Sequence, residues 1–358
     1  MNILIIFIVI AIASLTPLAI KQEKTVRTSA SAFATVTALL VLWTVWPQLF
    51  GRAAVVTSWW LIDGFSAMMA SLVAILFFAV ALVSHRYIGH ERHEGIISDT
   101  EVRVYYSLLN LFVLSMLLTV MTNNTLVLWL ALESTTLSST FLVGLYRKKT
   151  SIEAAWKYVI ICSTGITLGL IGILLLGYGT NSIGNHTSIF LLSSLTANAA
   201  LLPVKLVKLA FVFLFIGFGA KVGFVPTHTW LPDAHSNAPS PISALFSGIL
   251  LNVALYAIIR FQLITDRALG SHTWTSTFYL IFGSMSVLLP ASLLLIQRNY
   301  KRMLAYSSIE HMGLIAFGLA VPPIGTIAAV MHMAGHTLVK SSLFFGAGEI
   351  LLRHKTTH

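Results

Sequence analysis

The stretch Phe218–Ser247, FGAKVGFVPTHTWLPDAHSNAPSPISALFS, decides how the chain is read. It begins as an apolar helix that carries one lysine, Lys221. Pro226 and Pro232 then interrupt it, a polar segment follows, and it restarts at Pro239 and Pro241. Proline lacks a backbone donor and crowds the turn before it, so an unbroken helix is not expected here. A lysine in an apolar helix beside irregular backbone is expensive in a bilayer, and such residues mark functional sites by default.

Composition points to a bilayer. Of 358 residues 57% are hydrophobic and only 9% charged, with a mean hydropathy of +0.87. A soluble domain carries about 25% charged residues, so this chain cannot coat a water-facing surface. Its long apolar runs do not alternate, which predicts an all-α, polytopic transmembrane helical bundle and excludes a β-barrel. The single cysteine, Cys162, rules out an internal disulfide, a cysteine metal cluster and a CxxC redox pair.

Eleven runs are long enough to cross about 30 Å of hydrocarbon. They lie near residues 3–20, 30–50, 62–84, 104–121, 123–145, 154–177, 206–225, 241–262, 274–296, 303–320 and 326–346, and the stretch opened above makes the seventh helix a broken one. The least marked boundary is at Thr122. The longest polar connections are 85–103 and 178–204, and no linker separates a second domain, so residues 1–358 read as one unit. The first run, Ile3–Ile20, has no basic segment before it and KQEKTVR after it, which predicts a retained span instead of a cleaved signal.

Loop charge predicts orientation. Alternate loops hold Lys21, Lys24, Arg27, Arg86, Arg92, Arg147, Lys148, Lys149, Arg298, Lys301, Arg302, Arg353 and Lys355. The others hold Arg52, Lys205, Lys208, Arg260 and Arg267, a ratio of thirteen to five. The bias explains the net charge of +10 without nucleic acid. It predicts an outside N-terminus and a cytoplasmic C-terminus in a multi-pass protein. HTWLPDAHSNAPS would then lie on the cytoplasmic side, with Lys221 in the inner half of its span. Lys221 either snorkels to the interface or is enclosed by close packing at Gly217, Gly219, Ala220 and Gly223.

Other ionisable residues lie inside spans. Glu133 has about ten residues on each side before a polar boundary, which sets it near the midplane at 1.5 Å per residue. There it would take up a proton, find a cation, or make a helix–helix contact with Ser134, Thr135, Thr136, Ser138 or Ser139. His332, His336 and Lys340 recur every four residues, on one helical face about 6 Å apart along the axis. Histidine exchanges protons near neutrality, so this row reads as a proton relay. The alternatives are inert buried histidines or a metal site, the latter a weaker reading because no third ligand and no HExxH glutamate accompany the pair. Glu310 and His311 fit a relay or helix packing equally. Asp63 and Lys157 are close enough to span ends to act as anchors. GFGAKVG lacks the ending of a phosphate loop and sits in a span. His85, His90 and His93 lie in a charged loop and read as solvated. No dinucleotide, haem or cluster motif occurs, so any redox chemistry would belong to a partner.

From Asp63 onward these residues resemble the antiporter-like membrane subunits of respiratory complex I and of Mrp-type sodium/proton antiporters. The motifs are Glu133, then Lys221 with PTHTWLPDAHSNAPSPISALFSG, then KRMLAYSSIEHMG and HMAGHTLVKSSLFFGAG. SIEAAWKYVIICS, GILLNVALYAIIR and AYSSIEHMG are most similar to the hydrogenase-4 component F branch of group 4 membrane-bound hydrogenases. The resemblance implies a proton-translocating subunit of a complex-I-like oxidoreductase, with a core at about residues 104–346. Lys221 would store a proton under the control of Glu133, and His332, His336 and Lys340 would form the central row. It implies no cofactor in this chain. Sibling membrane subunits and a soluble arm with Fe–S clusters and a flavin or NiFe centre would be the partners, and protons or Na⁺ the cargo. Two departures stand out. Asn252 replaces a lysine of some relatives, so Ser247, water or another route must serve there. The chain also stops at LLRHKTTH after the eleventh span, where relatives have about fourteen, so the family's second broken helix is missing. An Mrp-type antiporter subunit and an inactive, shortened structural subunit are the alternatives.

Overall fold

The computed structural model describes residues 3–182 and 189–356. The middle of the 178–204 connection and the last two residues of LLRHKTTH lie outside the described residues.

The described residues form a helical bundle with one minimal hairpin. The helices are α1 (Leu4–Ala19), α2 (Glu23–Leu49), α3 (Gly64–His93), α4 (Asp99–Met121), α5 (Thr125–Val143) and α6 (Lys149–Ser182). They continue as α7 (Leu192–Ala197), α8 (Val204–Val222), α9 (Trp230–Asn237), α10 (Ser240–Leu245), α11 (Leu251–Leu269), α12 (Thr273–Leu294), α13 (Tyr300–Leu319) and α14 (Ile324–His354). Strands β1 (Val55–Val56) and β2 (Leu61–Ile62) pair antiparallel between α2 and α3.

Each of the eleven apolar runs becomes a helix or a helix pair. Among the described residues eight of these are long and apolar enough to cross a membrane: α2 to α6, α8 with α9, α10 with α11, and α12. The count of eleven crossings is therefore not reproduced by length and composition alone. Helix α1 has only 16 residues. Helix α13 carries Lys301, Arg302, Glu310 and His311, and α14 carries His332, His336, Lys340 and Glu349.

The boundary at Thr122 is a true break. Thr122 is extended, and Asn124 caps α5 by accepting from Leu126 N at 2.9 Å and Val127 N at 3.2 Å. That cap satisfies donors that the first turn leaves free. Asp63 caps α3 in the same way, and Ser98 with Glu101 makes a reciprocal capping box on α4.

The loops sort to two ends. Asn123 donates to Thr57 O and Ser193 Oγ, and Arg267 reaches Thr196 O, so the 50–63, 122–124 and 189–203 connections meet at one end. At the other, Arg147 pairs with Glu101 and Lys355 with Glu94. The loops predicted to be basic do gather on one face.

Helices α6 and α8 touch backbone to backbone. A Cβ on Gly217 would sit 2.5 Å from Gly169 N, and one on Gly165 would sit 2.8 Å from Gly217 O. Only glycine permits this approach, as at small-residue seams between membrane helices. The seam sets the last turn of α8 beside the first half of α6, and so places Lys221 next to Tyr158.

Candidate functional site: a buried lysine, a half-buried glutamate and a histidine row

Gly223, at a left-handed φ of +84°, ends α8. Its amide and that of Phe224 both bond to Gly219 O. The indole of Trp230 donates to Ala220 O at 2.9 Å, and Val225 N donates to Ser286 Oγ at 2.9 Å. The backbone groups released by the break are thus taken up by side chains, as buried polar groups require. Pro232 does not interrupt anything: it lies within the first turn of α9, where a missing N–H costs nothing. The segment expected as a polar connection is mostly helical and mostly buried, and its sequence shows too few apolar residues to reveal this.

Lys221 is 0% exposed, so it does not snorkel. Its ammonium donates to Thr136 Oγ1 at 2.6 Å and Tyr158 OH at 2.8 Å, and lies 5.0 Å from the centre of the Tyr158 ring. Ser139 Oγ meets the same tyrosine hydroxyl at 2.8 Å. All these partners are neutral. The last turn of α8 adds the partial negative charge of a helix C-terminus, which suits a cation.

Glu133 stands one turn before Thr136 on α5 and is half-buried. Ser163 donates to its Oε1 at 2.6 Å, and its buried Oε2 has no hydrogen-bond partner. Among the described residues no ion pair joins Glu133 to Lys221. Of the hydroxyls expected to suit Glu133, none is its partner. Ser134, Thr135 and Ser138 bond back to carbonyls of their own helix, while Thr136 and Ser139 serve the Lys221 cluster.

The α14 row forms with one addition. His332, His336 and Lys340 share a face, and His311 of α13 joins them. His311 Nδ1 lies 2.9 Å from His332 Nε2, and its ring is 5.6 Å from that of His336. The third imidazole that the sequence did not place beside the pair is therefore present. The three form no metal-holding group among the described residues. His336 is buried with both ring nitrogens unpartnered, and Lys340 donates to Ser307 Oγ at 2.6 Å. Glu310 lies on the same helix as His311; among the described residues it makes no ion pair, although it interacts electrostatically with Lys340. Asn252 donates to Met333 O and Thr337 Oγ1, both at 3.0 Å, which pins α11 to α14. Next to it a π-turn, Phe246–Leu250, carries Ser247 to within 2.6 Å of Ser308 Oγ.

Three residues missed in the sequence stand near these groups. His235, wholly buried and with both nitrogens unpartnered, stacks on Phe344 at 4.7 Å and meets Phe246 at 5.9 Å. It lies within electrostatic reach of both Lys301 and Lys340. Phe246 in turn touches Tyr158 at 5.7 Å, so a chain of ring contacts runs from His235 to the Lys221 cluster on one side and to Phe344 of α14 on the other. Lys301 was counted as a loop charge, yet it is 2% exposed. Glu91 is 4% exposed at the end of α3. Asp63 sits at a helix end, as the cap of α3, whereas Lys157 lies in the third turn of α6. Arg260 grips Asp63 through two 2.6 Å bonds, and Lys157 pairs with Glu153 and Asp233.

Fold and site together define a polytopic helical membrane protein with titratable groups buried in its interior. Residues 122–358 match the family described as NADH:quinone oxidoreductase/Mrp antiporter, transmembrane, and the chain belongs to that family. It is 40% identical over 296 residues to a hydrogenase-4 component F homologue of Methylacidiphilum infernorum, covering 82% of this chain and 62% of that protein. It is 31% identical over 306 residues to hydrogenase-4 component B of Escherichia coli, covering 82% of this chain and 43% of that one. The chain thus spans about two fifths to three fifths of the length of these relatives. An archaeal membrane-bound sulfane sulfur reductase complex contains a chain of the same fold, with a TM-score of 0.86 at 22% identity over 99% of this chain and 71% of that one. The Mrp complex of Dietzia sp. contains another, at 0.81 and 22%, covering 98% and 65%.

Proposed function

We propose that this chain is a proton-translocating membrane subunit of a complex-I-like oxidoreductase of the hydrogenase-linked kind. The observation that carries the reading is Lys221, fully enclosed, bonded only to neutral groups, with Glu133 one helical turn from its Thr136 partner. A carboxylate close to an ammonium favours the charged form, and withdrawing it favours release of the proton. Glu133 rests on a single hydroxyl, so a small shift of α5 against α6 changes its distance from Lys221. The proton released passes toward His235 and the row of Lys340, His336, His311 and His332. Lysine and histidine differ in how readily they hold a proton, which gives such a row a direction once the driving partner moves.

In this reading the gathered basic loops face the cytoplasm, with the N-terminus outside. Sibling membrane subunits and a soluble arm holding Fe–S clusters and a flavin or NiFe centre supply the driving reaction, and this chain carries no redox centre. The test is transport by the complete reconstituted complex. Lys221→Ala is expected to cut proton movement by about a hundredfold while the soluble arm still turns over. Normal pumping by that variant overturns the reading. Transport that needs sodium and no redox substrate would instead assign the chain to a multi-part sodium/proton antiporter.

A further inference from the structure

The bundle end that gathers the basic loops holds a cavity of about 470 Å³ between the ends of α3, α9, α13 and α14. A water molecule occupies about 30 Å³ of liquid, so the cavity has room for a cluster of them. Its wall includes a buried carboxyl, Glu91, and a buried amine, Lys301, with the buried Tyr87 beside Glu91. Glu91 accepts from Tyr146 OH at 2.6 Å through Oε1, and its Oε2 is buried without a partner. Lys301 donates to Ala238 O at 2.5 Å. Neither is in an ion pair with the other among the described residues, although they interact electrostatically.

This arrangement is costly as a purely structural one. A buried carboxylate and a buried ammonium that stay unpaired each forfeit several kcal/mol of hydration. Direct pairing would recover part of that, and pairs at this end do form where they are exposed, as Lys355 does with Glu94 on the rim. Glu91 lines this cavity, and its Oε2, tucked in beside Tyr87, makes no hydrogen bond, so a water that moves in from the cavity meets a carboxylate oxygen with a lone pair to offer.

We propose that Glu91 is the group that takes up protons from the aqueous side for the relay, and that Lys301 is the next carrier. A proton delivered by water binds Glu91 Oε2 and makes a neutral carboxyl. That carboxyl returns to carboxylate by giving the proton to Lys301 in its amine form, across water in the cavity. Lys301 is held by the carbonyl of Ala238, three residues after His235, so the step ends beside the only imidazole of α9. The proposal rests on the translocating role given above and adds where its protons come from.

The complete complex, reconstituted in vesicles, tests it with Glu91→Gln, Glu94→Gln and Lys221→Ala side by side. Glu91→Gln is expected to slow proton movement by roughly tenfold or more, whereas Glu94→Gln, which alters only the rim, stays within about twofold. An infrared difference band of a protonated carboxyl, recorded on turnover, is expected to vanish in Glu91→Gln. Normal transport or a persistent band in Glu91→Gln overturns the proposal, and a sodium requirement for the band overturns the proton assignment. Should Glu91→Gln not assemble, Tyr146→Phe removes only the donor to Oε1. It is expected to shift the band, and an unmoved band overturns the proposal. If Glu91→Gln transports normally while Lys221→Ala does not, uptake at Glu91 falls and the translocating role stands. If both transport normally, the translocating role itself falls.

Discussion

Lys221 and Lys340 are the same residue type, both buried, both bonded to a hydroxyl, yet their surroundings differ. Lys221 is walled by α5, α6, α8 and the indole-capped break, with Tyr158 packed between it and Trp230 at 4.6 Å. Lys340 lines an open cleft of about 540 Å³ together with His311, His332 and His336, and Met331 on its rim is 71% exposed. The first site is finished by this chain. The second is open on one side among the described residues. In a charge relay, enclosure decides how strongly one charge feels another, because interaction weakens as the effective dielectric rises. The enclosed lysine is therefore suited to be switched by a single carboxylate, and the cleft-lining row to pass charge onward.

This contrast can be broken in several ways. Lys221→Ala should have the largest effect, cutting transport by about a hundredfold in the complete complex. Lys340→Ala should cost about tenfold, since His336 and His311 stay in place around it. Equal losses at both positions, measured as initial rates of proton movement, would erase the distinction. Ser163→Ala removes the donor that holds Glu133. A charge-assisted hydrogen bond is worth about 1.5–3 kcal/mol, so a several-fold loss of transport is expected with normal assembly. Labelling sharpens the point further. The native Cys162 is buried, so Met331→Cys should react quickly with a membrane-permeant maleimide in the isolated chain and Thr136→Cys should not. The smallest effect belongs to Asp233→Asn. It removes the carboxylate shared by Lys157 and Arg302, and such half-exposed pairs contribute about 1 kcal/mol or less, read as a small drop in melting temperature.

What was legible in the chain followed local rules. Apolar run length gave the rods. Prolines and glycines gave the break after Val222. The i, i+4, i+8 spacing gave the α14 face. What stayed hidden depends on contacts between distant segments. Lys301 lies within a run of basic residues and reads as a loop charge until α9 folds over it. His235 sits among polar residues, and only Phe246 and Phe344 make it an interior group. Pro232 looks like a breaker because sequence does not show that a new helix starts two residues before it. His311 joins His332 through the packing of α13 on α14, a distance of 21 positions in the chain that no local period encodes.

The glycine seam between α6 and α8 has a mechanical meaning. Two rods that mesh main chain against main chain cannot slide or roll without prising atoms apart, so they move as one beam. Tyr158 and Lys221 ride on that beam, so their spacing is fixed by it. Under the proposed relay Glu133, on the neighbouring α5 and tethered by one hydroxyl, would be the part that travels, and the stroke would be measured at its carboxylate.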